Sequence, residues 1–146
     1  ASWEGKASQK PMKNISIQIP AIPENIRMIE SFIDNAKENF QMDDDIYGNI
    51  MISVTEAVNN AINHGCSGNP KLNVFLTLLV DNNAVKFRIK DEGPGFDYSE
   101  VPDPTKPENL EKPTGRGIFL MKHLADEVSF HENGTLVELC FYNAKG

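Results

Sequence analysis

Apolar residues recur along the chain with strand and helix periods in turn, and the order of these periods predicts an α+β fold. Strands are predicted at 15–19 and 84–90, where apolar and polar positions alternate, at 72–80, an apolar run interrupted by Asn73 and Thr77, and at 129–131 and 135–142. Apolar positions at helical spacing, which predict helices, occur at 23–40, 46–65 and 117–128. We therefore expect a single domain over 14–146, preceded by a flexible tail or cloning remnant at 1–13.

The helix predicted from Ile46 to its glycine end at Gly65 has an unusual polar face. Its only formally charged residue is Glu56. Opposite its apolar stripe lie Asn49, Ser53, Glu56, Asn60 and Asn63. An ordinary solvated face is the alternative, but such faces are usually built from Lys, Glu, Arg and Gln, which are better helix formers than Asn. Amide oxygens beside one carboxylate suit Mg²⁺, its waters and a phosphate chain.

A second candidate site follows the strand predicted at 84–90. The apolar side of that strand carries Val85, Phe87 and Ile89. Continuing the alternation places Asp91 on the same side, where a carboxylate needs hydrogen-bond donors to offset its desolvation. The exocyclic amine of a purine is such a donor. The alternative is that Asp91 caps a turn and that Gly93 and Gly95 only permit the bend.

A third candidate site precedes the helix predicted at 117–128. Gly115 and Gly117 allow backbone N–H groups to approach an anion at the helix N-terminus, where the dipole favours negative charge. Arg116 between them can reach a phosphate oxygen or a partner's carboxylate, or can remain solvated. A flexible loop end is the alternative for the two glycines.

Composition limits the classes of partner. The net charge is −7 and the pI is about 4.9, which argues against nucleic acid or an anionic membrane as the main partner. Cys66 and Cys140 are too few for a disulfide framework, so we expect two reduced thiols. The sequence contains neither a signal-peptide pattern nor an apolar run long enough to span a bilayer. We therefore expect a cytoplasmic protein.

In this order, the three candidate sites resemble the N box, G1 box and G2 box of the GHKL ATPases, which include gyrase, histidine kinases and mismatch-repair ATPases. The resemblance covers roughly 14–143. Within the superfamily it is strongest to the stand-alone bacterial anti-sigma-factor serine/threonine kinases of partner-switching systems. It implies a Bergerat fold, a two-layer sandwich in which helices cover one face of a mixed, mostly antiparallel sheet. It also implies a lid at about 94–117, where several prolines depart from the family pattern.

The resemblance implies roles for the residues of the first two sites. Glu56 would be the general base that polarises the attacking hydroxyl or water. Asn60 would bind Mg²⁺ through its side-chain oxygen, and Asn63 and His64 would line the same pocket near the phosphates. Asp91 would accept a hydrogen bond from the amino group of adenine.

The remaining matching residues would shape the nucleotide pocket. Gly93 and Gly95 would let the backbone pass close to the nucleotide. The residues that would cover the phosphates at the end of the lid are Gly115, Arg116 and Gly117. Thr135 would add a hydrogen bond near the adenine, although an ordinary strand residue of high β-propensity is the alternative there.

The main functional hypothesis is a kinase that binds Mg-ATP and transfers the γ-phosphate to a serine or threonine of a small antagonist protein. In its other state, the protein would hold a sigma factor or a similar regulator, as an anti-sigma factor does. Three alternatives stay open: a nucleotide-gated protein-binding module with little or no catalysis, a histidine-kinase-type catalytic domain, and an α+β domain without a nucleotide site. Relatives often form homodimers, so a homodimer also stays open.

Overall fold

The computed structural model of the protein describes residues 13–40, 42–81, 84–94 and 120–142. The described strands are β1 (Lys13–Pro20), β2 (Asn73–Val80), β3 (Ala84–Asp91), β4 (Glu127–His131) and β5 (Leu136–Tyr142). The described long helices are α1 (Ile26–Asn39) and α2 (Asp44–Asn60), and α2 continues into a π-helical segment at Ala61–Gly65. Short 3₁₀ turns lie at Pro23–Asn25 and Glu132–Gly134, and residues 120–124 are helical.

The described strands form one sheet in the order β1-β2-β3-β5-β4, and every pairing among them is antiparallel. The register aligns apolar residues across the sheet. Leu78 of β2 lies opposite both Ile15 and Phe87, and Phe87 lies opposite Leu139. Leu139 in turn lies opposite Val128 of β4. Because side chains alternate between the two faces of a strand, this register places a continuous apolar row on one face.

The helices cover the face that carries this apolar row. Phe87 and Leu139 are fully buried, and they share one core cluster with the inward side chains of α1 and α2. Those helix side chains are Ile29, Ile33, Ala36, Ile50, Val54, Ala57 and Val58. The opposite face is charged, and Glu138 lies 3.0 Å from both Arg88 Nε and His131 Nε2. This two-layer α+β arrangement confirms the expected fold class.

The start of α2 is fixed by its own cap and by a contact with α1. The Asp43 side chain accepts a hydrogen bond from Asp45 N at 3.0 Å, and the acidic first turn suits the positive end of the helix dipole. Lys37 of α1 forms an ion pair with Asp44 at 2.8 Å. These contacts join the first turn of α2 to α1 and so help to orient the polar stripe of α2.

Two of the predicted helices differ from the observed ones at their C-terminal ends. The helix predicted to reach Val128 ends at residue 124, because Asp126 N donates a hydrogen bond to Cys140 O at 2.9 Å and β4 begins at Glu127. The helix predicted at 46–65 is α-helical only to Asn60. Pairing of β4 with β5 therefore overrides the apolar spacing that predicts a longer final helix.

The first described strand begins close to the predicted domain boundary. β1 starts at Lys13, one residue before the boundary expected at 14, and that boundary stays a prediction. The rest of the expected tail, at 1–12, lies outside the described residues. Within the described ranges, each helix is too short or too polar to cross a bilayer. Both cysteines, Cys66 and Cys140, are free and buried, as expected for reduced thiols.

Candidate nucleotide-binding site

The centre of the polar stripe on α2 is buried. Ser53 is fully buried and Asn60 is 5% exposed, while Glu56 between them is partly exposed. The Ser53 hydroxyl and the Asn60 side-chain nitrogen have no hydrogen-bond partner among the described residues. A solvated helix face would leave such groups in contact with water, because burying a donor without a partner is unfavourable. The alternative of an ordinary solvated face is therefore wrong for this part of the stripe.

The end of this helix widens into a π-helical turn. Cys66 N donates to Ala61 O at 2.8 Å, which is the i to i+5 spacing of a π-helix. The chain then leaves the helix through Ser67 and Gly68, which both have positive φ angles. Short π-helical segments occur frequently at functional sites. This segment includes Asn63 and His64, and both side chains are exposed there.

Asp91 is the last residue of β3 and continues its buried side, as the alternation predicts. It lies opposite Val74 in the β2 register and is 4% exposed. Its Oδ1 accepts a hydrogen bond from Gly93 N at 2.9 Å. Burial raises the pKa of Asp91, although the Gly93 N–H and the nearby Lys90 charge partly oppose this rise. A buried carboxylate of this kind is suited to a donor such as an exocyclic amine.

Two glycines bring the end of the helix into contact with the turn after β3. A Cβ atom added to Gly65 would lie 2.5 Å from Asp91 Oδ2, and one added to Gly93 would overlap the Gly65 carbonyl oxygen. The two motifs that are separate in the sequence therefore touch backbone to backbone. From the sequence, Gly65 is predicted only to end a helix. Its position directly after His64, inside the first motif, is the signal that could have identified it.

A pair of polar residues fixes the turn that follows Asp91. The Glu92 carboxylate accepts hydrogen bonds from Asn73 N at 2.7 Å and from Asn73 Nδ2 at 3.1 Å, and Glu92 N donates to Asn73 O at 3.2 Å. We call this pair the Asn73–Glu92 latch. It joins the start of β2 to the end of β3, so it holds the backbone of Asp91 and Gly93 in place. Nothing in the local sequence identifies this contact, because Asn73 belongs to one predicted strand and Glu92 follows another.

Thr135 is buried next to Asp91, but its hydroxyl group forms a hydrogen bond within its own turn. Its Oγ1 donates to Glu132 O at 2.7 Å and lies 3.3 Å from Lys90 Nζ, which also pairs with Glu132 at 2.6 Å. Its backbone oxygen accepts a hydrogen bond from Asp91 N at 2.9 Å. These contacts favour a structural role for the Thr135 side chain, and its contact with adenine stays a prediction.

The third candidate site lies outside the part of the chain that the structure describes. Gly95 and the residues predicted to cover the phosphates lie outside the described residues, together with the predicted lid beyond Pro94. The residues concerned are Gly115, Arg116 and Gly117. The described site therefore consists of the end of α2, the π-helical segment and the turn at Asp91.

The side chains on α2 fit a magnesium nucleotide. The Asn60 amide oxygen suits Mg²⁺, which takes hard oxygen ligands and keeps several waters. The Asn60 nitrogen, which has no partner among the described residues, suits a phosphate oxygen. Glu56 lies one turn before Asn60, at the i to i+4 spacing that makes two helix side chains neighbours. A carboxylate is thus available beside the position that a phosphate would occupy.

These elements define a nucleotide-binding α+β domain in which a polar helix meets a glycine-containing turn. The histidine kinase-like ATPase domain matches residues 19–141, which is more than half of the chain. The chain therefore belongs to the histidine kinase-like ATPase family, and the resemblance to the GHKL ATPases is confirmed. Membership of this family implies that the protein binds ATP.

Several curated relatives are anti-sigma factors. The chain is 42% identical to the anti-sigma F factor of Bacillus cytotoxicus over 96 residues, which cover 61% of this chain and 64% of the relative. It is 41% identical over 96 residues, with the same coverage, to the anti-sigma F factors of Bacillus thuringiensis and Bacillus mycoides. The matched region thus spans less than two thirds of each relative's length. Over this part of its length the chain is thus similar to anti-sigma factors, the branch of the superfamily to which the sequence resemblance points.

Proposed function

We propose that the protein is an Mg-ATP-dependent serine/threonine protein kinase and anti-sigma factor. The observation that carries this proposal is the buried amide of Asn60, whose nitrogen has no partner among the described residues, one turn from Glu56. A magnesium nucleotide offers a phosphate oxygen to the amide nitrogen and a cation to the amide oxygen. The similarity to anti-sigma F factors supports a regulatory protein as the partner.

The proposed reaction is phosphoryl transfer from ATP to a protein hydroxyl. The oxygen of a serine or threonine forms a bond to the γ-phosphorus, the bond to the β,γ-bridging oxygen breaks, and ADP leaves. Glu56 accepts the proton of the attacking hydroxyl. Mg²⁺, when bound, neutralises charge on the phosphate oxygens. Asn60 orients the phosphate chain, and Asp91 accepts a hydrogen bond from the adenine amino group.

The other assignments belong to the same proposal. Asn63 and His64 contact the phosphate end of the nucleotide. Gly93 and Thr135 lie at its adenine end. The assignments outside the described residues are Gly95 beside the nucleotide and Gly115, Arg116 and Gly117 over the phosphates. The protein partners are a small antagonist with a phosphorylatable serine or threonine and a sigma factor or similar regulator. The two buried free thiols support a cytoplasmic location.

A phosphotransfer assay with two glutamate variants tests this proposal. The measurement is transfer of labelled γ-phosphate from Mg-ATP into the proteins of the source lysate, followed by identification of the labelled residue. Glu56→Gln removes the base but keeps the size of the side chain, so we expect ATP binding to persist and transfer to fall about 10²- to 10⁴-fold. Glu38→Gln changes an exposed glutamate of α1 and serves as the matched control, with full activity expected.

The outcomes of this assay separate the competing functions. A small protein labelled on serine or threonine, and lost with Glu56→Gln, would support the kinase and identify its substrate. Undiminished transfer by Glu56→Gln would remove Glu56 from the mechanism. ATP binding without any labelled protein, together with partner binding that persists with a non-hydrolysable ATP analogue, would replace the kinase with a nucleotide-gated binding module.

A further inference from the structure

We propose that Gly65 is a positioning residue for Asp91 and thereby sets the preference of the site for adenine. This inference rests on the proposed function, in which Asp91 accepts a hydrogen bond from the adenine amino group. It concerns a residue that touches the carboxylate and has no functional group of its own. Because Gly65 has no side chain, it leaves space for the Asp91 carboxylate.

The space beside Gly65 is filled by a single functional group. The three heavy atoms nearest to a Cβ added there all belong to the Asp91 carboxyl group: Oδ2 at 2.5 Å, Cγ at 2.7 Å and Oδ1 at 2.9 Å. Each distance is shorter than real Cβ contacts allow. The backbone of Gly65 imposes no comparable requirement, because its φ angle is not positive. Glycine is therefore required at position 65 because any side chain there would overlap the Asp91 carboxylate.

The carboxylate cannot yield to a side chain without losing its own support. The backbone of Asp91 is held on one side by its pairing with Val74 and on the other by its N–H bond to Thr135 O at 2.9 Å. Its Oδ1 is held by Gly93 N at 2.9 Å. A methyl group on Gly65 would therefore rotate the carboxyl group about its side-chain bonds and break the bond to Gly93. Oδ2, the oxygen that lies against Gly65, would then leave its position.

Displacement of this carboxylate should change which base the site accepts. Adenine presents an amine donor to a carboxylate, whereas hypoxanthine presents a carbonyl oxygen at the same ring position, which a carboxylate repels. Hydrogen bonds to charged groups are strong enough to give wild-type protein a preference for ATP over ITP of about 10- to 100-fold. A substitution that only loosened the fold would weaken the binding of both nucleotides equally, so the ratio of the two affinities isolates the positioning effect.

A double-mutant cycle tests the proposal. The four proteins are wild type, Gly65→Ala, Asp91→Ala and the double variant, and calorimetry measures their affinities for ATP and ITP with Mg²⁺. We expect Gly65→Ala to reduce ATP affinity about tenfold or more and to bring the ATP/ITP ratio towards one. In the Asp91→Ala background, the same substitution should have little further effect on either quantity. Gly48→Ala is the matched control, because Gly48 lies in α2 and a Cβ there meets no atom within 4 Å.

The unfolding midpoints of the same four proteins provide a second, independent measurement of the coupling between Gly65 and Asp91. If Gly65→Ala acts through the carboxylate, it should lower the midpoint in the wild-type background and lower it much less in the Asp91→Ala background. This comparison holds even if Gly65→Ala alone folds poorly, because restored folding of the double variant supports the contact. An unchanged ATP/ITP ratio in folded Gly65→Ala, or equal effects in both backgrounds, would overturn the proposal.

Failure of the proposed function gives a different pattern. If the wild-type protein binds neither ATP nor ITP, the nucleotide function itself is refuted, together with the base preference that we assign to Gly65. If the wild-type protein binds both with equal affinity, nucleotide binding stands but the assignment of Asp91 to the adenine amine is wrong, and the inference about Gly65 is wrong with it.

Discussion

Replacing Ser53 by alanine is expected to stabilise the protein. The Ser53 hydroxyl is fully buried in α2 and has no hydrogen-bond partner among the described residues. Leaving a buried hydroxyl unsatisfied costs about 1–3 kcal/mol, and alanine favours a helix interior over serine by roughly 0.5 kcal/mol. The Cβ atom stays, so the cavity left behind is small. We therefore expect the free energy of unfolding to rise by about 1–3 kcal/mol and Tm to rise by roughly 3 °C for each kcal/mol.

The assay is denaturant unfolding followed by far-UV circular dichroism, with a second hydroxyl of the same helix as control. Thr55 Oγ1 donates to Met51 O at 2.6 Å, so its hydroxyl is satisfied. Thr55→Val removes that hydroxyl at nearly constant shape and helix propensity, and it should cost about 1 kcal/mol. Opposite signs for the two substitutions would support the reasoning. A loss of about 1 kcal/mol or more in Ser53→Ala would refute it, because the hydroxyl must then have a partner in the folded protein.

Two further predictions concern Asp91 and the latch beside it. Burial raises the pKa of Asp91 above its ordinary value. The stability that goes with the neutral carboxyl group is therefore fully present below the pKa of the unfolded state, and it is lost as the pH rises through the raised pKa of the folded state. In urea titrations, the stability of Asp91→Asn relative to wild type should therefore increase as the pH rises from about 4 to about 8. A difference in stability that does not change with pH would contradict the raised pKa. The variant should also bind ATP more weakly than wild type. Glu92→Ala removes the acceptor for both Asn73 donors and should lose about 1 kcal/mol in the same titrations, with the exposed Glu24→Ala as control. Equal stability of these two variants would mean that the latch contributes nothing.

The parts of the site that depend on local periodicity could be predicted from the sequence. The alternation of β3 predicts that Asp91 lies on its buried side, since the phase of a strand continues to its last residue. The poor helix propensity of several asparagines on one face indicates a functional surface on α2, and the burial of Asn60 agrees with this interpretation. Both signals operate within one element, so a single sequence is sufficient to detect them.

The parts that depend on contacts between distant segments could not be predicted in the same way. The approach of Gly93 to Gly65 is set by how the π-helical segment packs against the turn after β3, and no local pattern encodes that packing. The Asn73–Glu92 latch depends on the register of β2 with β3, which brings residues 19 positions apart together. The prediction that the last helix extends to Val128 is wrong for a related reason. Residues up to Val128 have helical spacing, but the hydrogen bonds that β4 gains by pairing with β5 are stronger than that local preference.

The position of β1 has a consequence for the solubility of the protein. Among the described strands β1 pairs only with β2, and both helices lie between these two strands in the chain. Detachment of β1 would therefore uncover one whole edge of Asn73–Val80, a segment of Val, Phe, Leu and Thr that carries no formal charge. Exposed, uncharged strand edges of this kind act as templates for intermolecular pairing and aggregation. β1 thus shields the edge of an apolar, uncharged strand from such pairing.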